Sequence, residues 1–174
     1  MEHATGGQVR VIVVMGVAGS GKTTVGLALA GRLGWDFAEA DDFHPSANIA
    51  KMSRGVPLAD KDRWPWLQVL RAWIDQHLPD GARGVMTCSA LKRSYREVLR
   101  APGVVFVHLD GSPALLEGRL AARAGHFMKP AMLASQLADL EPLEDDEDGL
   151  HVDLDLVETP GGQVDAILAA LALP

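Results

Sequence analysis

The sequence predicts an α/β protein built on a doubly wound parallel sheet. Short apolar strands alternate with amphipathic helices along most of the 174 residues. The first strand, Val9 to Met15, is apolar and β-branched but for Arg10, enough to read as a strand buried in a parallel sheet. A glycine-rich turn then leads directly into Val25, Leu27, Ala28, Leu29 and Leu33, which have helical spacing.

That turn, Gly16-Val17-Ala18-Gly19-Ser20-Gly21-Lys22-Thr23, fits the G-x-x-x-x-G-K-[ST] phosphate loop in the strand-to-helix context the motif requires. Glycines let the backbone curl until several amide N–H groups aim at one point, and the helix N-terminus adds partial positive charge there. The spacing assigns Lys22 to the β- and γ-phosphates and the Thr23 hydroxyl to Mg²⁺. A nucleoside triphosphate is the expected ligand.

Composition narrows the class. The chain is long enough for one domain with a substantial core, and 48% hydrophobic with 22% charged residues is ordinary for a folded protein. No apolar run reaches the ~18 residues of a membrane span, and the first seven residues lack the pattern of an export signal. Cys88 is the only cysteine, which excludes an internal disulfide and predicts a cytoplasmic location. A net charge of −7 argues against a nucleic-acid partner. An acidic protein that holds anions must concentrate its cations, so their positions carry information.

The second strand, Asp36 to Ala40, delivers Asp41 and Asp42 to the carboxyl end of the sheet, where such folds bind ligands. A carboxylate there accepts a proton from a substrate hydroxyl or helps hold Mg²⁺ through water; alternatively it caps the next helix. His44, Asn48 and Lys51 then share one helix face, either as donors to a polyhydroxylated substrate or as a solvated stripe. In the following helix Trp66, Leu70, Trp73 and Ile74 are core, while Arg63 either pairs with Asp60 or Asp62 or grips an anionic substrate.

Gly84 to Cys88 is the third strand, with Cys88 a buried filler, and it opens into Ser89-Ala90-Leu91-Lys92-Arg93-Ser94-Tyr95-Arg96. Lys92 and Arg96 are i, i+4 neighbours, two like charges that call for an anion or acid between them. Val104 to Leu109 is the fourth strand. Asp110 is read as structural, because Gly111-Ser112-Pro113 makes an ordinary helix start. The helix from Pro113 carries Arg119 and Arg123, a break follows at Gly125 to Pro130, and helical spacing resumes at Ala131. Helix, break and helix with cations at the base reads as a movable lid over the phosphates, or else as a surface hairpin whose arginines meet Glu117 and Asp139. The acidic run Glu141, Glu144, Asp145, Asp146, Glu147, Asp148 is expected to be a solvated loop, since it lacks the order of a Ca²⁺ site. Leu150 to Leu156 is the last strand, alternating and therefore near an edge, and a closing helix spans about Val164 to Leu171. A GTPase switch is disfavoured, because no Asn-Lys-x-Asp guanine reader is present.

Taken together, the phosphate loop, Asp41-Asp42-Phe43-His44-Pro45, Asn48 with Lys51-Met52, Pro57-Leu58 with Asp60, Asp62 and Arg63, Pro65-Trp66-Leu67, Cys88-Ser89-Ala90-Leu91-Lys92 with Tyr95-Arg96, His126-Phe127, and Ser135-Gln136 with Leu140-Glu141 resemble the gluconokinases. These are thermoresistant-type gluconate kinases related to shikimate and adenylate kinases, and the resemblance covers about residues 9–160. It implies ATP-dependent phosphorylation of D-gluconate at the 6-hydroxyl, with Mg²⁺. It further implies a P-loop kinase fold with five parallel strands in the order 2-3-1-4-5, a lid at about 119–137 within a single domain, and a homodimer. On this reading Gly16 to Thr24 with Arg119 and Arg123 hold the nucleotide. Asp41 orients the hydroxyl and takes its proton, and Glu39 stands where some relatives carry an additional acid. The gluconate is bound by Asp41, His44, Lys51, Arg63, Ser89, Lys92, Arg96 and His126, with Arg63, Lys92 and Arg96 supplying positive charge.

Overall fold

The computed structural model describes residues 9–79, 81–122 and 130–174. Thirteen elements follow one another among these residues: β1 (Val11–Met15), α1 (Lys22–Leu33), β2 (Asp36–Glu39), a 3₁₀ turn (Ala40–Phe43), α2 (Ser46–Ser53), α3 (Asp60–Gln76), β3 (Gly84–Thr87), α4 (Arg93–Leu99), β4 (Val104–Asp110), α5 (Pro113–Ala122), α6 (Pro130–Asp139), β5 (Gly149–Asp153) and α7 (Pro160–Ala170).

The five strands form one sheet in the order β2-β3-β1-β4-β5, with every neighbouring pair parallel. This is the order implied by the resemblance, and it puts the alternating last strand at an edge. Side chains of β1 point alternately to the two faces. Val11, Val13 and Met15 pack with Trp66, Leu67, Leu70 and Ile74 of α3 and Tyr95 and Leu99 of α4. Ile12 and Val14 pack on the other face with Val25 and Leu29 of α1 and Val164, Ile167 and Leu168 of α7. All five residues of β1 are fully buried. At about 25 cal/mol per Å² of apolar surface removed from water, a central strand covered on both faces is the main source of cohesion in such a sheet.

A third, smaller cluster bears on the site. Val17 of the glycine-rich turn packs with Leu91, Leu116 of α5 and Leu133 of α6, with Leu120, Leu137 and Leu140 around them. The helices that flank the predicted break are thus seated on the phosphate loop. The break itself, with Arg123 and His126, lies outside the described residues.

Helix starts follow local chemistry. Ser112 accepts from the Leu115 amide at 3.3 Å just before Pro113 opens α5, as its sequence predicts. Thr159 caps α7 by accepting from Gly162 N–H at 3.1 Å. No described helix is long and apolar enough to cross a membrane.

Candidate active site

The glycine-rich turn adopts the shape its composition demands. Gly16, Gly19 and Gly21 have φ of +150°, +82° and +86°, a region that side chains disfavour. A Cβ on Gly16 would also lie 2.8 Å from Ser20 Oγ and 2.9 Å from the Leu109 carbonyl oxygen. Gly21 is the N-cap of α1, and its carbonyl accepts from Val25 N–H at 3.0 Å, so the loop runs straight into the helix. Lys22 Nζ folds over the loop and donates to the Val17 carbonyl at 3.1 Å. Successive amides curled around a lysine form an anion-binding nest at a helix N-terminus, which fits a polyphosphate.

The hydroxyl of Thr23 donates to Glu39 Oε2 at 2.8 Å, joining α1 to the end of β2. Both are hard oxygen donors on exposed or half-buried side chains, the donor set that Mg²⁺ prefers. Asp41 stands two residues beyond Glu39 in the 3₁₀ turn, with 80% of its side chain exposed. Because β1, β2 and β3 run parallel, their carboxyl ends, which lead to Lys22, to Glu39 and Asp41, and to Cys88, lie on one side of the sheet. Burial pushes the Cys88 thiol up to about 12, in keeping with Cys88 as a filler.

The turn bearing Asp41 is braced from below. Trp66 of α3 donates its indole N–H to the Ala40 carbonyl at 2.8 Å, and His44 stacks on the Trp66 ring at 4.2 Å between centroids. Burial lowers the His44 pKa, against the opposing pull of Asp41, whose Oδ1 is 3.9 Å from His44 Nε2. Asn48 is buried, and its amide reaches His44 Nδ1 at 3.2 Å and the Asp62 carbonyl at 2.9 Å. The polar stripe of α2 is therefore an internal brace at Asn48, with Lys51 at its end paired to Asp62 at 2.9 Å.

A second group of cations gathers around Tyr95. Its hydroxyl donates to Asp60 Oδ1 at 2.5 Å and accepts from Arg63 at 3.1 Å. Lys92 Nζ lies 3.4 Å from the same carboxylate and 5.7 Å from the Tyr95 ring centroid. The Tyr95 hydroxyl, despite some desolvation, and then Lys92 and Arg63 hold Asp60 below the usual carboxylate range. Arg63 and Lys92 are about a quarter exposed, which leaves part of each open to an incoming anion.

The structure corrects two expectations. Arg96 does not face the cleft. It is 1% exposed, and its five N–H groups reach Glu147 twice and the carbonyls of Ala90, Leu91 and Pro142. A guanidinium with every donor engaged below the surface is unavailable to gluconate. Its work is on the turn carrying Ser89 and Lys92, where Ala90 holds a φ of +45° that an alanine adopts only at a cost in strain. The acidic run is likewise more than a solvated loop. Glu147 is buried against Arg96, and Glu144 and Asp146 pair with Arg93.

From α5, Arg119 lies over the loop, with one guanidinium nitrogen 3.4 Å from the Ser20 carbonyl oxygen. Gln136 of α6 accepts from the Ala18 amide at 2.7 Å. The sequence offered Gln136 only as part of a motif, because nothing local connects it to a loop 118 residues earlier.

Comparison with known proteins agrees with this geometry. A family model described as an AAA domain matches residues 11–143. A gluconokinase of Gluconobacter oxydans (strain 621H) is 52% identical over 155 residues, covering 87% of each chain. The crystal structure of a sugar kinase from Janibacter sp. HTCC2649 superposes with a TM-score of 0.86 at 50% identity, covering 95% of both chains. That of a gluconokinase from Sinorhizobium meliloti 1021 gives 0.81 at 45% identity, covering 93% of this chain and 91% of that one. With its nucleotide loop, acidic turn and cation group arranged as described, this chain belongs to the gluconokinase family.

Proposed function

We propose that this protein transfers the γ-phosphoryl group of ATP to the 6-hydroxyl of D-gluconate, giving 6-phospho-D-gluconate. The observation that carries the reading is that Lys22, Glu39 and Asp41 follow the carboxyl ends of adjacent parallel strands, with Arg63 of α3 and Lys92 gathered around Tyr95. The amides of Gly16 to Thr24 and Lys22 hold the triphosphate, and Thr23 with Glu39 holds Mg²⁺. The metal, when bound, neutralises charge on the β- and γ-oxygens. Asp41 orients the acceptor hydroxyl and takes its proton as the new P–O bond forms. Arg63 and Lys92 receive the gluconate carboxylate, and His44, Lys51 and Ser89 are assigned to its hydroxyls. Arg119 steadies negative charge on the transferring group.

Family membership supports gluconate as acceptor, and residues 119–137, Arg123 and His126 among them, are assigned as a lid over the phosphates. Action as a homodimer in the cytoplasm completes the proposal. The test is ADP release measured against a panel of sugar acids. D-Gluconate is expected to give the highest kcat/KM; a preference for shikimate or another hydroxy acid would overturn the assignment.

A further inference from the structure

Parallel pairing of β4 with β5 sets His108 opposite His151 and Asp110 opposite Asp153. Residues two apart on a strand share a face, so His108 and Asp110 project on the same side, and His151 joins them from the edge strand. His108 is buried, while His151 and Asp110 are exposed at the rim. The two Nδ1 atoms are 3.2 Å apart, with the rings inclined at 61°. One ligand atom from each of the three residues lies within 4.8 Å of the other two. Among the described residues this is the one group of three or more His, Cys, Asp and Glu so placed.

Two neutral imidazoles meeting Nδ1 to Nδ1 can share only one proton, one nitrogen donating and the other accepting. The same spacing suits two ligands on one ion. Metal–nitrogen bonds of about 2.0–2.1 Å at a tetrahedral angle put the nitrogens about 3.3–3.4 Å apart. Asp110, exposed beside the two rings, offers a carboxylate oxygen as a third ligand atom. The phosphoryl-transfer reading uses none of these residues.

We propose that His108, His151 and Asp110 form a binding site for a divalent first-row transition metal of the Zn²⁺ type, separate from the Mg²⁺ held by Thr23 and Glu39. Imidazole nitrogens select such ions over Mg²⁺, which takes oxygen ligands. The ion bridges β4 to β5, so its effect is to fasten the edge strand that follows the Glu147 loop.

The experiment is a titration of the chelator-treated, nucleotide-free full chain with Co²⁺, whose visible absorption reports coordination by nitrogen. One equivalent per chain is expected. A hundredfold excess over Kd should raise Tm by roughly 5–10 °C. His151→Val should lose both the absorption and the Tm shift while keeping kinase activity. Asp110→Asn should weaken binding, and Glu39→Gln should leave it intact. Absence of stoichiometric binding overturns the site, as does binding that survives His151→Val, is unweakened in Asp110→Asn or disappears in Glu39→Gln.

Discussion

Arg96 and Glu147 form an ion pair 1% and 2% exposed, joining α4 to a loop 51 residues further along. The pair closes the underside of the turn that presents Ser89 and Lys92, since Arg96 also bonds the Ala90 and Leu91 carbonyls. Removing one member leaves the other charge buried without its partner. Arg96→Ala or Glu147→Ala should therefore cost about 3–5 kcal/mol in chemical denaturation. The pair also sets a pH dependence. Burial alone would raise the Glu147 carboxyl, but hydrogen bonds from Arg96 and the Glu144 amide hold it below its ordinary value of 4.5. A depressed carboxyl contributes stability that is complete above the unfolded value and lost as pH falls through the folded one. The wild type should thus lose stability below about pH 4.5 more steeply than Glu147→Gln, measured by Tm against pH.

The Thr23–Glu39 contact predicts a separate metal dependence. Thr23→Val removes the hydroxyl proposed to hold Mg²⁺ and leaves Glu39 without that donor. The Mg²⁺ concentration for half-maximal activity should rise about tenfold, the equivalent of ~1.4 kcal/mol, with gluconate KM little changed. An unchanged Mg²⁺ curve would place the metal elsewhere.

Gln136 ties α6 to the phosphate loop through the Ala18 amide. Gln136→Leu leaves that part-buried amide unpaired, at about 1–3 kcal/mol. The expected result is a fall of roughly tenfold in kcat/KM for ATP, read by steady-state kinetics with the nucleotide varied.

Arg63 and Lys92 share Asp60 and Tyr95 as partners. If they receive the acceptor's carboxylate, Arg63→Ala and Lys92→Ala should each raise the gluconate KM by roughly 10–100-fold, the worth of a charge-assisted hydrogen bond. The ATP KM should move far less.

Much of this architecture is legible without coordinates, and the reasons are local. Val11–Met15 reads as a buried strand because all of its side chains are apolar, and the loop reads as a phosphate cradle because glycines recur at fixed intervals before Lys22. Legibility stops where a side chain's partner is distant in sequence. Arg96 and Lys92, four apart, suggest a shared face. The decisive contact is Glu147, and its acidic neighbours make the segment look uniformly solvated. Gln136 carries no periodic or charge signal, so its bond to Ala18 emerges only when α6 is seated on the loop. The His108–His151 juxtaposition depends on strand register, which an alternating edge strand does not announce.

Phosphoryl transfer to gluconate depends most directly on Asp41, the group proposed to take the hydroxyl proton. Asp41→Asn keeps shape and hydrogen bonding but cannot accept that proton. Steady-state ADP release with saturating gluconate should show kcat reduced by ~10²–10⁴-fold, with ATP affinity near that of the wild type. A variant retaining near-normal turnover of gluconate would contradict the account.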